Sequence, residues 1–138
     1  MIIKADQPKA PANRPVVLAV DDDEVSLESL AMILKGYEVL TTTKGADAVE
    51  FVRSRRVDCV LLDLLMPKLP GIEVLRALKA DPATAAIPVV ILSNSSREED
   101  KGEAVRLGAV GYYVKANLSL KELAAQVTQL IKDHASRR

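Results

Sequence analysis

The residues able to do chemistry in this 138-residue chain stand at the ends of apolar runs. Val16–Val20 ends in Asp21, Asp22 and Asp23, and Val57–Leu62 ends in Asp63. Val89–Leu92 leads into Ser93, and Tyr113–Val114 into Lys115. Short apolar runs bounded by polar residues read as buried parallel strands. In open α/β sheets the carboxyl ends of neighbouring strands form the ligand crevice. Several carboxylates then meet in one hollow, where each like-charged pair at about 4 Å costs on the order of 4 kcal/mol at an effective dielectric near 20. Such a hollow calls for a cation, and hard oxygen donors with open positions suit Mg2+, with Mn2+ as the alternative. Asp22 and Asp63 are the candidate direct ligands, while Asp21 ligates directly or through water. Asp23, followed by Glu24, reads as the N-cap of a helix. Carboxylate, metal, hydroxyl and lysine together make a phosphoryl-transfer set. One aspartate attacks phosphorus to give an acyl phosphate. Metal and lysine neutralise the equatorial oxygens, and the hydroxyl donates a hydrogen bond.

Positioning these groups requires alternating strands and helices. The strands read as Val16–Val20, Glu38–Thr42, Asp58–Leu62, Pro88–Leu92 and Gly111–Val114. Leu27, Leu30, Ala31 and Leu34 form the stripe of the first helix, with Gly36 as its C′ residue. Ala46, Val49 and Val52 mark the second helix, and Ile72, Leu75 and Leu78 the third. Ser96 with Glu99 reads as a capping box for the fourth, whose charge run Arg97–Lys101 and internal Gly102 make it the loosest. The fifth has the most regular stripe, Leu120, Leu123, Ala124, Val127, Leu130 and Ile131, started by a Ser119/Glu122 box. Five strands alternating with five helices imply a doubly wound (βα)5 α/β fold, flavodoxin-like, with a five-stranded parallel sheet of order 2-1-3-4-5. In that order the first and third strands are neighbours, so the switch point lies between Asp21–Asp23 and Asp63.

Composition sets outer bounds. Nineteen basic residues balance nineteen acidic ones, which argues against direct nucleic-acid binding. Cys59, the single cysteine, excludes an internal disulfide and reads as an inert buried thiol in a reducing cytoplasm. No apolar stretch reaches the roughly 18 residues of a membrane span, and no signal-peptide core stands at the N-terminus. Residues 1–14, rich in Pro, Ala, Lys and Gln, read as a disordered tail, 15–135 as one domain and 136–138 as a C-terminal tail. Met32 and Met66 read as core fillers, and His134 as a solvated helix-end residue.

VLAVDDDE, CVLLDLLMPKLPG, IPVVILSNS and GAVGYYVKA, in this order and spacing, resemble the receiver domain of two-component response regulators over about residues 15–134. The chain looks like the chemotaxis-type single-domain architecture. The resemblance implies that Asp63 accepts phosphate from a histidine of a sensor kinase or histidine phosphotransfer protein. It further implies that Asp21, Asp22 and Asp63 hold Mg2+ together with the backbone carbonyl of Leu65. Ser93 matches the switch hydroxyl, Lys115 the phosphate-contacting lysine and Tyr112 the aromatic switch residue. Met66-Pro67 and Gly71 match the turn after the phosphoacceptor. The face of helix four, strand five and helix five is the implied output surface for a downstream protein, an output domain or a phosphorylation-linked dimer. Such a domain catalyses only its own phosphoryl transfer and dephosphorylation.

Four positions depart from the family pattern or modulate the site. Ala116 follows Lys115 where the family has proline, so a trans bond is expected. Asn94 replaces a very small residue, and Leu65 and Ser95 are poor at positioning an attacking water, which predicts a long-lived acyl phosphate. The competing reading is a haloacid-dehalogenase-like phosphatase with its aspartyl phosphate at Asp21, but the acidic metal motif expected after the lysine is missing. A flavodoxin-like carrier shares the fold, yet three aspartates after the first strand would repel a flavin phosphate.

Overall fold

The computed structural model describes residues 2–4 and 14–136. Within them the strands are β1 (Ile2–Lys4), β2 (Val16–Val20), β3 (Glu38–Thr42), β4 (Cys59–Asp63), β5 (Val89–Ser93) and β6 (Gly111–Val114). The helices are α1 (Glu24–Ile33), α2 (Gly45–Ser54), α3 (Gly71–Ala80), α4 (Glu98–Arg106) and α5 (Leu120–Ser136). All strand pairs are parallel, in the order β1-β3-β2-β4-β5-β6. Leaving β1 aside, this is the expected 2-1-3-4-5 order. The chain switches direction of winding at β2 and β4.

Strand alternation sorts the core into two layers. Leu18, Val20, Leu40, Val60, Leu62 and Ile91 face α2, α3 and α4, where Phe51, Val52, Val74, Leu75, Leu78 and Ala104 meet them. Val17, Ala19, Val39, Cys59, Leu61 and Leu92 face α1 and α5, packing on Leu27, Leu30, Leu34, Leu123 and Val127. Both faces of the sheet are covered, so β2–β5 are buried along their whole length.

Several expectations need correction. Ile2–Lys4, inside the stretch read as a disordered tail, pairs with β3 in the register Ile2↔Val39, Ile3↔Leu40 and Lys4↔Thr41. Without this pairing β3 would be an open sheet edge, which supplies the reason. Residue 1, residues 5–13 and residues 137–138 lie outside the described residues. The strands read as Asp58–Leu62 and Pro88–Leu92 each run one residue later, because Asp63 pairs with Leu92 and Ser93 with Val114. Met32 is 72 % exposed and not a core filler, since it sits about 200° around α1 from Leu30. In α2 the buried face is Gly45, Ala48, Phe51 and Val52, which leaves Ala46 outside. Gly36, expected as the C′ residue of α1, stands one residue further on, two past the Leu34 cap, with φ +92°. Gly108, not anticipated, ends α4 in a Schellman motif: its φ is +109°, its N–H donates to Val105 O, and Ala109 N donates to Ala104 O.

Candidate functional site

Register alone brings the site together. Val20 pairs with Leu62, so the next residues, Asp21 and Asp63, stand side by side at the carboxyl ends of β2 and β4. Asp63 pairs with Leu92 and Ser93 follows; Ser93 pairs with Val114 and Lys115 follows. Parity then divides the set. Asp21, Asp63 and Lys115 follow the alternation of the α1/α5 face, whereas Ser93 and Tyr112 follow that of the face carrying α4.

On the first side, Asp21 is 2 % and Asp63 5 % exposed, while Asp22 is exposed. One carboxylate oxygen from each of the three lies within 4.8 Å of the others. Lys115 Nζ donates to Asp21 Oδ2 at 2.6 Å and lies 3.6 Å from Asp63 Oδ2. Asp21 Oδ1 accepts from Asp23 N at 3.0 Å, and Asp63 Oδ1 accepts from Leu65 N at 3.1 Å. Burial pushes the Asp63 carboxyl above its ordinary range, and the Asp21 and Asp22 charges add to this against the opposing Leu65 N–H and Lys115. Burial alone would depress Lys115, but its hydrogen bond to Asp21 and the Asp21 and Asp63 charges hold it above the usual lysine value.

The donor set fits a divalent cation. Three carboxylates facing one ammonium leave an excess of two negative charges, and all donors are hard oxygens. Asp23 takes no part in this set. Its Oδ1 accepts from Val25 N at 3.1 Å and its Oδ2 accepts from Ser26 Oγ at 3.0 Å, the N-cap of α1. These bonds hold its pKa below the ordinary value.

On the second side, Ser93 is fully buried, and its Oγ accepts from Ser95 N at 3.0 Å. Tyr112 is half-buried, packs against the core on the α4 face, and donates its hydroxyl proton to the Ser95 carbonyl at 2.9 Å. Asn94 and Ala116 are exposed on the loops after β5 and β6. The Lys115–Ala116 bond is trans, as expected, in a short 3-10 turn over Lys115–Asn117. The expected Ser96/Glu99 box does not form. Arg97 occupies the N-cap position of α4, and its N–H is accepted at 3.2 Å by Ser95 Oγ. The Ser119 cap of α5 does form, with Ser119 Oγ accepting from Glu122 N at 3.2 Å.

Two further residues support the surrounding backbone, Gly71 behind the site strand and Asp100 at the loop after β5. A Cβ on Gly71, the first residue of α3, would press on the Asp63 carbonyl oxygen and lie 2.6 Å from Leu64 Cα. Gly71 N also donates to Leu64 O at 2.9 Å, so the glycine lets α3 start against the backbone of the site strand. Asp100 accepts the Ser95 hydroxyl proton. Nothing in the pattern singled it out within the charge run, because a serine five residues before an aspartate is not a capping spacing. Cys59 is buried and pushed up to about 12, chiefly by desolvation, in line with an inert thiol. No described helix is long and apolar enough to cross a membrane.

The response regulator receiver domain family model matches residues 17–128. Protein PilH of Pseudomonas aeruginosa is 38% identical over 101 residues, covering 72% of this chain and 84% of PilH. Transcriptional regulatory protein PrrA of Mycobacterium tuberculosis is 39% identical over 124 residues, covering 88% of this chain. The chain spans about half the length of that relative (52%). Among solved structures, the receiver domain of the Francisella response regulator 1452 superposes with a TM-score of 0.78 at 29% identity, covering 86% of this chain and 98% of that one.

Proposed function

This chain belongs to the response regulator receiver domain family, and on that premise we propose that Asp63 accepts a phosphoryl group in a cation-dependent reaction. The observation that carries the proposal is the juxtaposition of Asp63 with Asp21, Asp22 and a lysine that already bonds Asp21. The donor is the phosphohistidine of a sensor kinase or histidine phosphotransfer protein: the Asp63 carboxylate oxygen forms a bond to phosphorus as the phosphorus–nitrogen bond breaks. Asp21, Asp22, Asp63 and the Leu65 carbonyl hold Mg2+, which supplies positive charge to the phosphoryl oxygens when bound. Lys115 turns from Asp21 toward the phosphoryl group, and Ser93 donates its hydroxyl proton to a phosphoryl oxygen.

Ser93 and Tyr112 then act on α4, so that α4, β6 and α5 form the output face for a downstream protein or a second copy. Phosphorylation shifts a pre-existing equilibrium between two arrangements of that face. The protein works in the cytoplasm as a phosphoacceptor signalling domain without direct contact to nucleic acid or membrane. Its acyl phosphate is long-lived, because neither the apolar Leu65 nor the short Ser95 hydroxyl can position an attacking water. Membership of the receiver family leaves the phosphatase reading at Asp21 without support.

The test is incubation with Mg2+ and a small phosphodonor, followed by intact mass. The chain is expected to gain one phosphoryl group and the Asp63→Asn variant none. No gain in the unsubstituted chain, or an equal gain in the variant, overturns the proposal.

A further inference from the structure

Ser95 uses every polar group it has, and each one reaches a different part of the switch. Its N–H donates to Ser93 Oγ at 3.0 Å, and its carbonyl accepts from the Tyr112 hydroxyl at 2.9 Å. Its own Oγ accepts from Arg97 N at 3.2 Å and donates its proton to Asp100 Oδ2. Asp100 stands in the first turn of α4, beside Glu98 and Glu99. Arg97 offers that helix start no side-chain cap, and its guanidinium is turned to Glu99 instead. The Ser95–Asp100 bond therefore ties the switch loop that leaves β5 to the first turn of α4.

We propose that Ser95 and Asp100 form a positioning relay that carries the movement of Ser93 into α4. The relay rests on the reading of Asp63 as phosphoacceptor and adds two residues to it. In the present arrangement Ser93 Oγ is aimed at Ser95 N. To donate to a phosphoryl group on Asp63 the oxygen has to turn, which releases that N–H and lets Ser95 move. Because the Ser95 hydroxyl is tied to Asp100 and to Arg97 N, its displacement pulls the first turn of α4. The Tyr112 bond to the same residue's carbonyl makes the aromatic ring follow.

α4 is suited to respond. Only Ala104 of its residues is buried, and Gly102 lies in its interior with nothing within 4 Å of an added Cβ. Few buried apolar contacts and an interior glycine place this helix at the low end of local stability. A small displacement at its first turn can then change its population of open states without disturbing the sheet.

The test compares amide hydrogen exchange in α4, with and without phosphodonor and Mg2+, in the full chain and in Asp100→Ala and Asp100→Asn. Phosphate uptake at Asp63 is measured by mass on the same samples. In the unsubstituted chain, α4 exchange is expected to change at least threefold on phosphorylation. Asp100→Ala is expected to take up phosphate normally but lose that difference, and Asp100→Asn, whose amide oxygen can still accept from Ser95, to restore it. A merely structural role for Asp100 would raise α4 exchange in both states and leave the difference intact, which overturns the relay. So does a failure of Asp100→Asn to restore the response, or an unsubstituted chain that takes up phosphate without an α4 response. Absence of uptake in the unsubstituted chain overturns the phosphoacceptor reading itself, and is distinguished from the others by mass alone.

Discussion

Lys115 is placed between two roles. With its Nζ on Asp21 and near Asp63 it acts as the internal counter-ion of the acidic hollow, and it competes there with any divalent cation. Lys115→Ala is therefore expected to raise Mg2+ affinity by about tenfold while slowing phosphate uptake by roughly 100-fold. Metal titration and phosphorylation kinetics on the same preparation check both directions. Asp63 carries the opposite cost. Its pKa in the fold lies above the unfolded value, so the folded state binds its proton more readily. Its contribution is most favourable below the ordinary carboxylate range and is lost as pH rises through the raised value. Asp63→Asn is expected to stabilise the metal-free protein at pH 7 by on the order of 1 kcal/mol, about 4 °C in midpoint. That gain should shrink to nothing as the pH falls below about 4. Thermal melts of the two proteins across pH measure it, and an advantage that grows on acidification would contradict the assignment.

At the scale of elements, the site is held by strand ends. Asp63 and Ser93 are the last ladder residues of β4 and β5, so their backbones are fixed by the sheet. Gly71 completes this by letting α3 start directly on the site strand. Gly71→Ala forces a Cβ into backbone atoms that cannot move aside, and is expected to destabilise the fold by about 3 kcal/mol or more. Denaturant unfolding reads this loss. Gly102→Ala is the reverse case, because space is open around it within α4. It is expected to stabilise that helix by about 1 kcal/mol, visible as slower amide exchange confined to Glu98–Arg106.

At the scale of the molecule, two helical layers over one sheet bury both faces of β2–β5 and leave the carboxyl edge open to a ligand. At a concentration ten times its dissociation constant, Mg2+ is expected to stabilise the fold by about 1.4 kcal/mol. Asp22→Asn should abolish that response with little effect on the metal-free melt, since Asp22 is exposed. Chelator should return the unsubstituted protein to its metal-free midpoint. A response retained in Asp22→Asn would place the cation elsewhere.

The periodicity of Val16–Val20, Cys59–Asp63 and their neighbours determined the fold by itself, because a strand buried on both faces leaves a continuous apolar run and its polar terminus marks the crevice. The identities of Asp21, Asp22, Asp63, Ser93 and Lys115 as the candidate site were legible for the same reason. What only the tertiary structure decided were relations with no sequence period. Lys115 bonds Asp21 more closely than Asp63, since a long flexible side chain settles by three-dimensional charge and not by register. Ile2–Lys4 finds the edge of β3 across a gap in sequence that no local pattern spans. Ser95, not Ser96, meets the start of α4, because a loop's path is set by the strand and helix it joins, and a one-residue difference there redirects a hydroxyl. The chemistry was written in residue types at strand ends; its wiring was decided by where the loops and side chains came to rest.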